Sequence, residues 1–289
     1  MPRPKVKAKA AIPKEALYST VVSALFEKHY KGNGQPFDFA QSEYDAICKD
    51  KGVPAIGNKP DLVYQYRFRR RFPPEIEAQE PKGRKWVIEL AGKGKYTFAL
   101  RKLKWIVPTE GLVEIKIPDQ TPEIIKQYAR GDEQALLARV RYNRLIDVFL
   151  GITTSSLQNH LRATVKAMNG SQIEIDELYI GINSTGSHFV IPVQAKAGAD
   201  YIAAVQARQD LLYCAQQFPS AVCRAVSAQF VGDGDDKDYI ILFEVALEGP
   251  EDVVLIRERR YRLAHRAEIT DADLDFYKTL RDDHGALKW

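Results

Sequence analysis

The sequence predicts an α/β (α+β) protein, a mixed sheet flanked by helices and preceded by a smaller helical domain. Three observations predict it. Residues 173–176 and 188–196 alternate apolar and polar side chains at the two-residue period of half-buried strands. The run Asn183-Ser184-Thr185-Gly186-Ser187 between them is rich in turn formers, so the two strands form a hairpin. Helical periodicity flanks this pair, whereas the chain before Pro108 separates as helices followed by a glycine-rich hairpin.

Residues 1–14 read as a basic disordered arm carrying Arg3, Lys5, Lys7, Lys9 and Lys14, without the apolar core of a signal peptide. Leu17, Val21, Ala24 and Leu25 then share one face of a helix that ends near Lys31-Gly32. A second helix fits 41–51, stopped by Gly52. A third fits 59–71, with Pro60 in its first turn and Pro73-Pro74 behind it. Strands at 85–90 and 96–100 enclose Gly92-Lys93-Gly94-Lys95, a hairpin tip bearing two lysines. Three helices and a basic hairpin resemble a winged helix-turn-helix, which implies a third helix in the major groove and a wing on backbone phosphates. Arg67, Arg69, Arg70, Arg71, Lys93 and Lys95 are the corresponding DNA-binding candidates.

A connector marked by Pro108, Gly111, Pro118 and Pro122 separates this domain, 15–110, from a second, 111–289. Helices fit 122–130 and 132–149, the latter with Leu136, Leu137, Val140, Leu145, Ile146 and Phe149 as its core stripe. Thr153-Thr154-Ser155-Ser156 offers an N-cap for a helix over 157–168, ended by Asn169-Gly170. After the two central strands, a helix over 200–217 and strands at 225–231, 239–247 and 253–261 complete the sheet. Glu244, polar within an apolar strand, reads as a sheet-edge residue.

A hairpin centred on Thr185 sets Asp176 opposite Gln194 and Glu174 opposite Lys196. Carboxylates, an amide oxygen and an ammonium in one patch suit a divalent metal and a water beside a phosphate. The arrangement resembles the PD-(D/E)XK nuclease superfamily, which includes most type II restriction endonucleases, over about residues 155–265. The resemblance implies a restriction-endonuclease-like fold and Mg²⁺-dependent, sequence-specific cleavage of double-stranded DNA, with Mn²⁺ substituting. It assigns Asp176 as the central metal ligand and Lys196 as the group that orients water or neutralises charge. Gln194 stands where the family usually has an acid, and either Gln194, through its side-chain oxygen, or Glu174, with its carboxylate, completes the metal site beside Asp176. The family often adds a glutamate from the helix before the first motif strand, where this chain has Gln158, Asn159 and His160. Gln158 and His160 are therefore additional candidates, as is Glu177 if a bulge turns it inward. Gln206 and Gln209 on the following helix are candidates for the DNA backbone.

The bulk properties agree with such a partner. Between Lys59 and Lys104, 13 Lys and Arg face 5 Asp and Glu, a balance of +8 in a chain whose net charge is +4. A basic segment on a mildly acidic remainder points to a polyanion. Cys48, Cys214 and Cys223 have neither zinc-site spacing nor an even count, which points to a reducing cytoplasm. No run of eighteen apolar residues and no P-loop occur, so neither a membrane span nor an ATP-driven motor is expected. Cutting both strands implies a homodimer, and the restriction reading implies a companion DNA methyltransferase. Two other readings stay open: a DNA-binding protein on an inactive nuclease-like scaffold, and a structure-specific repair or recombination nuclease.

Overall fold

The computed structural model describes residues 12–128, 133–198, 201–231 and 239–280. The basic arm thus lies outside the described residues up to residue 11, and Lys14 is the first residue of a helix. The chain divides into two compact units, Met1–Leu100 and Arg101–Trp289, against an expected boundary at 110.

In the first unit the order is α1 (Lys14–His29), β1 (Phe37–Ala40), α2 (Tyr44–Asp50), α3 (Lys59–Phe68), α4 (Pro74–Glu77), β2 (Lys85–Leu90) and β3 (Lys95–Arg101). The short strand β1 is unanticipated. It pairs antiparallel with β3, placing Phe37 beside Phe98 and Phe39 beside Tyr96, in a sheet ordered β1-β3-β2. Aromatic packing explains it: Phe26 of α1 meets Trp86 edge-on at 5.2 Å and Phe98 at 5.4 Å, and Phe37 stacks on Phe98 at 5.1 Å. Helix α3 stops at Phe68, three residues before the predicted end at 71. The N–H groups of Arg69 and Arg70 both reach back to Gln65 O and close it, while buried Phe72 and Pro73 carry the chain away.

The second unit runs β4 (Trp105–Ile106), β5 (Glu114–Pro118), α5 (Glu123–Tyr128), α6 (Glu133–Tyr142), α7 (Leu145–Leu150), β6 (Thr153–Val165), β7 (Ser171–Ile182), β8 (His188–Ala197), β9 (Ile202–Ala203), α8 (Ala204–Gln217), β10 (Val222–Cys223), β11 (Ala225–Val231), β12 (Tyr239–Glu248), β13 (Asp252–Ala264) and α9 (Asp271–Tyr277). The mixed sheet is ordered β5-β13-β12-β11-β8-β7-β6, with β10 also pairing β8. Strands β6, β7 and β8 form an antiparallel meander, and α8 then crosses so that β11 lies parallel to β8. The helices α6 and α7 pack Leu136, Leu137, Val140, Leu145, Ile146 and Phe149 with Ile191, Val193 and Ala195 of β8. The predicted single helix over 132–149 is broken at Asn143-Arg144, where Arg144 takes φ 49°. Asn143, 2% exposed, holds the break by donating to Thr121 Oγ1 at 2.8 Å and accepting from Gln120 N at 2.7 Å.

The helix predicted over 157–168 is instead the long strand β6 up to Val165, followed by a 3-10 turn over Lys166–Met168. Asn169 (φ 52°) and Gly170 (φ 73°) turn the chain into β7, and the hairpin signal carried by that dipeptide outweighs the N-cap signal at Thr153–Ser156. Glu244 is not at an edge either. Strand β12 lies between β11 and β13, and Glu244 receives Arg224 Nε at 2.5 Å and Arg224 Nη2 at 2.8 Å, with Arg257 Nε at 2.6 Å. Pro192 sits in the central strand β8 where its neighbour is interrupted. Strand β10 covers Phe189-Val190, β11 resumes at Val193, and Arg224 lies between them.

Candidate active site

Strands β7 and β8 pair from Ile182↔His188 to Glu177↔Val193, the register predicted for a hairpin centred on Thr185. Beyond that point the ladder stops, and the gap is filled by side chains. Asp176 Oδ2 accepts from Ala195 N at 2.8 Å, replacing the next backbone bond. Gln194 Nε2 donates to Glu174 O at 3.0 Å. The β7–β8 ladder therefore ends just where the chemical residues begin.

Lys196 follows on β8, with its side chain 17% exposed. Its ammonium lies 2.8 Å from Glu133 Oε1 and 2.9 Å from the carbonyl of Ala195. Burial pushes the Asp176 carboxyl above its ordinary value, against the pull of the Ala195 N–H and Lys196, while Glu133 and Glu174 add to the rise. Asp176, Lys196 and Glu133 are thus one electrostatic group. Glu133 is a functional candidate that the sequence pattern does not single out. It opens α6, and α6 with α7 is the helical segment preceding the first motif strand once 153–165 is known to be a strand. Its only local signal is an acidic residue in the first turn of the amphipathic helix at 132–149.

The other candidates are distributed differently from expectation. Gln194 is 2% exposed, donates to Asp210 Oδ2 at 2.8 Å and accepts from Gln206 Nε2 at 2.6 Å, so its amide oxygen is occupied within the protein. Gln206 therefore orients Gln194. Gln209 is 5% exposed and lies inside the unit, away from any backbone it was expected to meet. Asp210, buried on the same helix α8, has its carboxyl pushed well above the ordinary value by burial, with Asp176 adding to the rise. Glu174 shares the Asp176 face, as expected, but is exposed and turned toward β6, where His160 Nδ1 lies at 3.4 Å and Arg162 Nε at 3.2 Å. It does not face Lys196 across the hairpin, because Lys196 has turned to Glu133. Glu177 projects to the opposite face, is fully buried, and receives Arg141 Nη2 at 2.8 Å. No bulge turns it inward.

Gln158 and His160 lie on β6 rather than on a helix. Gln158 is exposed beside Leu178, beyond a register shift at Ser156/Gln158. His160 takes φ 48° and falls between the pairs Asn159↔Glu177 and Leu161↔Ile175, the position across from Asp176. A non-glycine residue at positive φ in a strand marks a re-aimed side chain. In the first unit, Arg69, Arg71, Lys93 and Lys95 are exposed, and Arg70 pairs with Glu15 at 2.5 Å. Arg67 is 8% exposed, with Nε donating to Ile88 O at 3.1 Å, and does not present itself to a groove.

Among the described residues no three His, Cys, Asp or Glu side chains gather in metal-holding geometry. The donor set nonetheless fits a hard cation that keeps most of its waters. Asp176 and Glu133 are two carboxylates in one electrostatic group with Lys196, whose ammonium lies between Glu133 Oε1 and the Ala195 carbonyl. Among the described residues no helix is long and apolar enough to cross a membrane. Comparison with family models, with curated proteins and with solved structures gives no match to this chain.

Proposed function

We propose that this protein is a Mg²⁺-dependent DNA endonuclease of PD-(D/E)XK type, sequence-specific and of type II restriction character. The observation that carries the proposal is the convergence of Asp176, Lys196 and Glu133 where the β7–β8 ladder ends. The surroundings support it: the β7–β8 hairpin, a crossing helix and a parallel β11 keep the hairpin, helix, strand part of the expected order, with strand β6 where a helix was expected. In the first unit, helices α1, α2 and α3 followed by the basic β2–β3 hairpin support a winged-helix reading, to which the unanticipated β1 and the short α4 are additions. This unit would supply sequence reading through Arg69, Arg71, Lys93 and Lys95.

Asp176, Glu133 and the Ala195 carbonyl would hold Mg²⁺, with Mn²⁺ substituting. When bound, the ion neutralises phosphoryl charge and lowers the pKa of a coordinated water. Lys196 then leaves Glu133 and places its ammonium against the phosphate, where it orients the attacking water and offsets the developing negative charge. Gln194, locked by Asp210 and Gln206, keeps β8 fixed on either side of the reacting residues. Glu133 supplies the carboxylate that Gln194 does not. A homodimer would place two such sites on the two strands of a palindromic target.

Purified protein is expected to cut plasmid DNA in Mg²⁺ and to leave it intact in EDTA. Asp176→Asn, Lys196→Met and Glu133→Gln should each reduce cleavage on the order of 10²-fold or more while retaining DNA binding. Intact DNA with the wild-type protein across diverse plasmids, with Mg²⁺ and with Mn²⁺, would overturn the reading. One observation favours the alternative of a binding protein on an inactive scaffold, namely that the Gln194 carbonyl is occupied by Gln206. Under that alternative Asp176→Asn changes no metal affinity. Cleavage confined to branched or mismatched DNA would indicate the repair or recombination nuclease instead.

A further inference from the structure

We propose that a cavity in the first unit, between α3 and the β2–β3 hairpin, binds a single nucleobase held outside a base stack. The cavity has a volume of about 370 Å³ and is lined by Asn58, Pro60, Asp61, Tyr64, Arg67 and Tyr96, with Val63 and Leu90 adding apolar wall. This volume lies within the range of about 300–1,000 Å³ usual for small-molecule sites.

Arg67 carries the inference. Its side chain is more than nine-tenths buried, Nε is committed to Ile88 O, and buried Nη2 makes no hydrogen bond to the protein. A buried guanidinium with an unused N–H is costly, and the cost is recovered when an acceptor arrives. Its charge is not wholly uncompensated, since Glu89 acts on it electrostatically, so a neutral acceptor suffices. The rest of the wall selects the kind of acceptor. Asp61 places a carboxylate in the same cavity: Oδ2 is taken by Lys14 Nζ at 2.7 Å and Tyr18 Oη at 2.8 Å, while Oδ1, reached by Gln65 at 3.3 Å, keeps acceptor capacity. Pro60, Val63 and Leu90 are apolar, and the Tyr64 and Tyr96 rings suit a flat ligand. Tyr96 Oη accepts from Gln41 at 2.6 Å and keeps its own proton to donate. The Asn58 side chain makes no helix-capping bond. Hydrogen-bond donors at Arg67 and Tyr96, an acceptor at Asp61 and aromatic walls match a heterocycle with ring-edge carbonyl and amino groups. The choice of a nucleobase rests on the nucleic-acid reading proposed above.

The test uses the full-length protein and the four deoxynucleosides, followed by saturation-transfer NMR. At least one deoxynucleoside should receive saturation chiefly at its base protons. Its affinity should fall tenfold or more in Arg67→Met and in Tyr64→Ala. Tyr64 is 44% exposed, so Tyr64→Ala is expected to keep the wild-type melting temperature and remains decisive if Arg67→Met unfolds. Saturation at sugar protons alone, no transfer from any deoxynucleoside, binding unchanged in Tyr64→Ala, or displacement by inorganic phosphate would each overturn the proposal. Base binding without plasmid cleavage would overturn the nuclease reading alone, and cleavage without base binding would overturn only this one.

Discussion

Asp210 and Asp176 carry the residue-scale consequence of a site built inside a sheet. Both carboxyls lie above the ordinary value of 3.8 because burial penalises their charged forms. The folded protein therefore holds protons that the unfolded chain releases. Stability is greatest below the ordinary value and falls as pH rises from it, until the folded carboxyl ionises as well. Asp210→Asn removes one of these contributions and preserves an acceptor for Gln194. Thermal melts from about pH 4 to about pH 7 should show the wild type losing stability more steeply than the variant. A variant that parallels the wild type throughout would show that Asp210 titrates as it does in the unfolded chain. Residue identity is the most legible level of the site. Asp176 and Lys196 are readable from alternation and turn spacing, which are local. Glu133 is not, because it meets Lys196 across 63 positions of sequence.

At the scale of elements, the buried group Arg224–Glu244–Arg257 ties the segment before β11 to β12 and β13. Glu244 is 3% exposed and stands beside the register shift at Glu244/Val245. Glu244→Gln keeps the shape but leaves two buried guanidinium groups without their carboxylate. A loss of about 3–5 kcal/mol is expected by urea denaturation. A loss below about 1 kcal/mol would mean that water or the Leu150 carbonyl, which accepts from Arg224 Nη1 at 3.1 Å, suffices. Strand β6 shows where element prediction fails. Residues 157–168 lie between an N-cap signal and a stop signal, yet those up to Val165 belong to a strand that pairs along β7 from Thr153↔Ile182 to Val165↔Ser171. Asn169-Gly170 closes that hairpin, and a turn dipeptide compatible with both a helix stop and a hairpin tip is resolved only by the presence of a partner strand.

For the whole molecule, the separation of charge gives the prediction. The +8 segment from Lys59 to Lys104 belongs largely to the first unit, and four of its side chains, Arg69, Arg71, Lys93 and Lys95, are exposed. Replacing these four by glutamine should weaken binding to any duplex. It should also flatten the dependence of log K on log salt by roughly 0.9 for each phosphate left without its cation. Fluorescence anisotropy over a salt series measures both. An unchanged slope would place the DNA elsewhere on the protein.

By itself, the sequence determined the α/β class, the strand register around Thr185 and the basic character of the first unit. Each rests on side-chain period, turn chemistry or charge count, properties of neighbours along the chain. The tertiary structure alone decided that Glu133 completes the group at Lys196, that Gln194 turns inward to Asp210, and that Glu174 faces Arg162. It also decided that Arg67 is buried. These outcomes depend on which strand lies next to which and on where the β7–β8 ladder ends. Burial and long-range pairing set them through desolvation, and no local pattern records either.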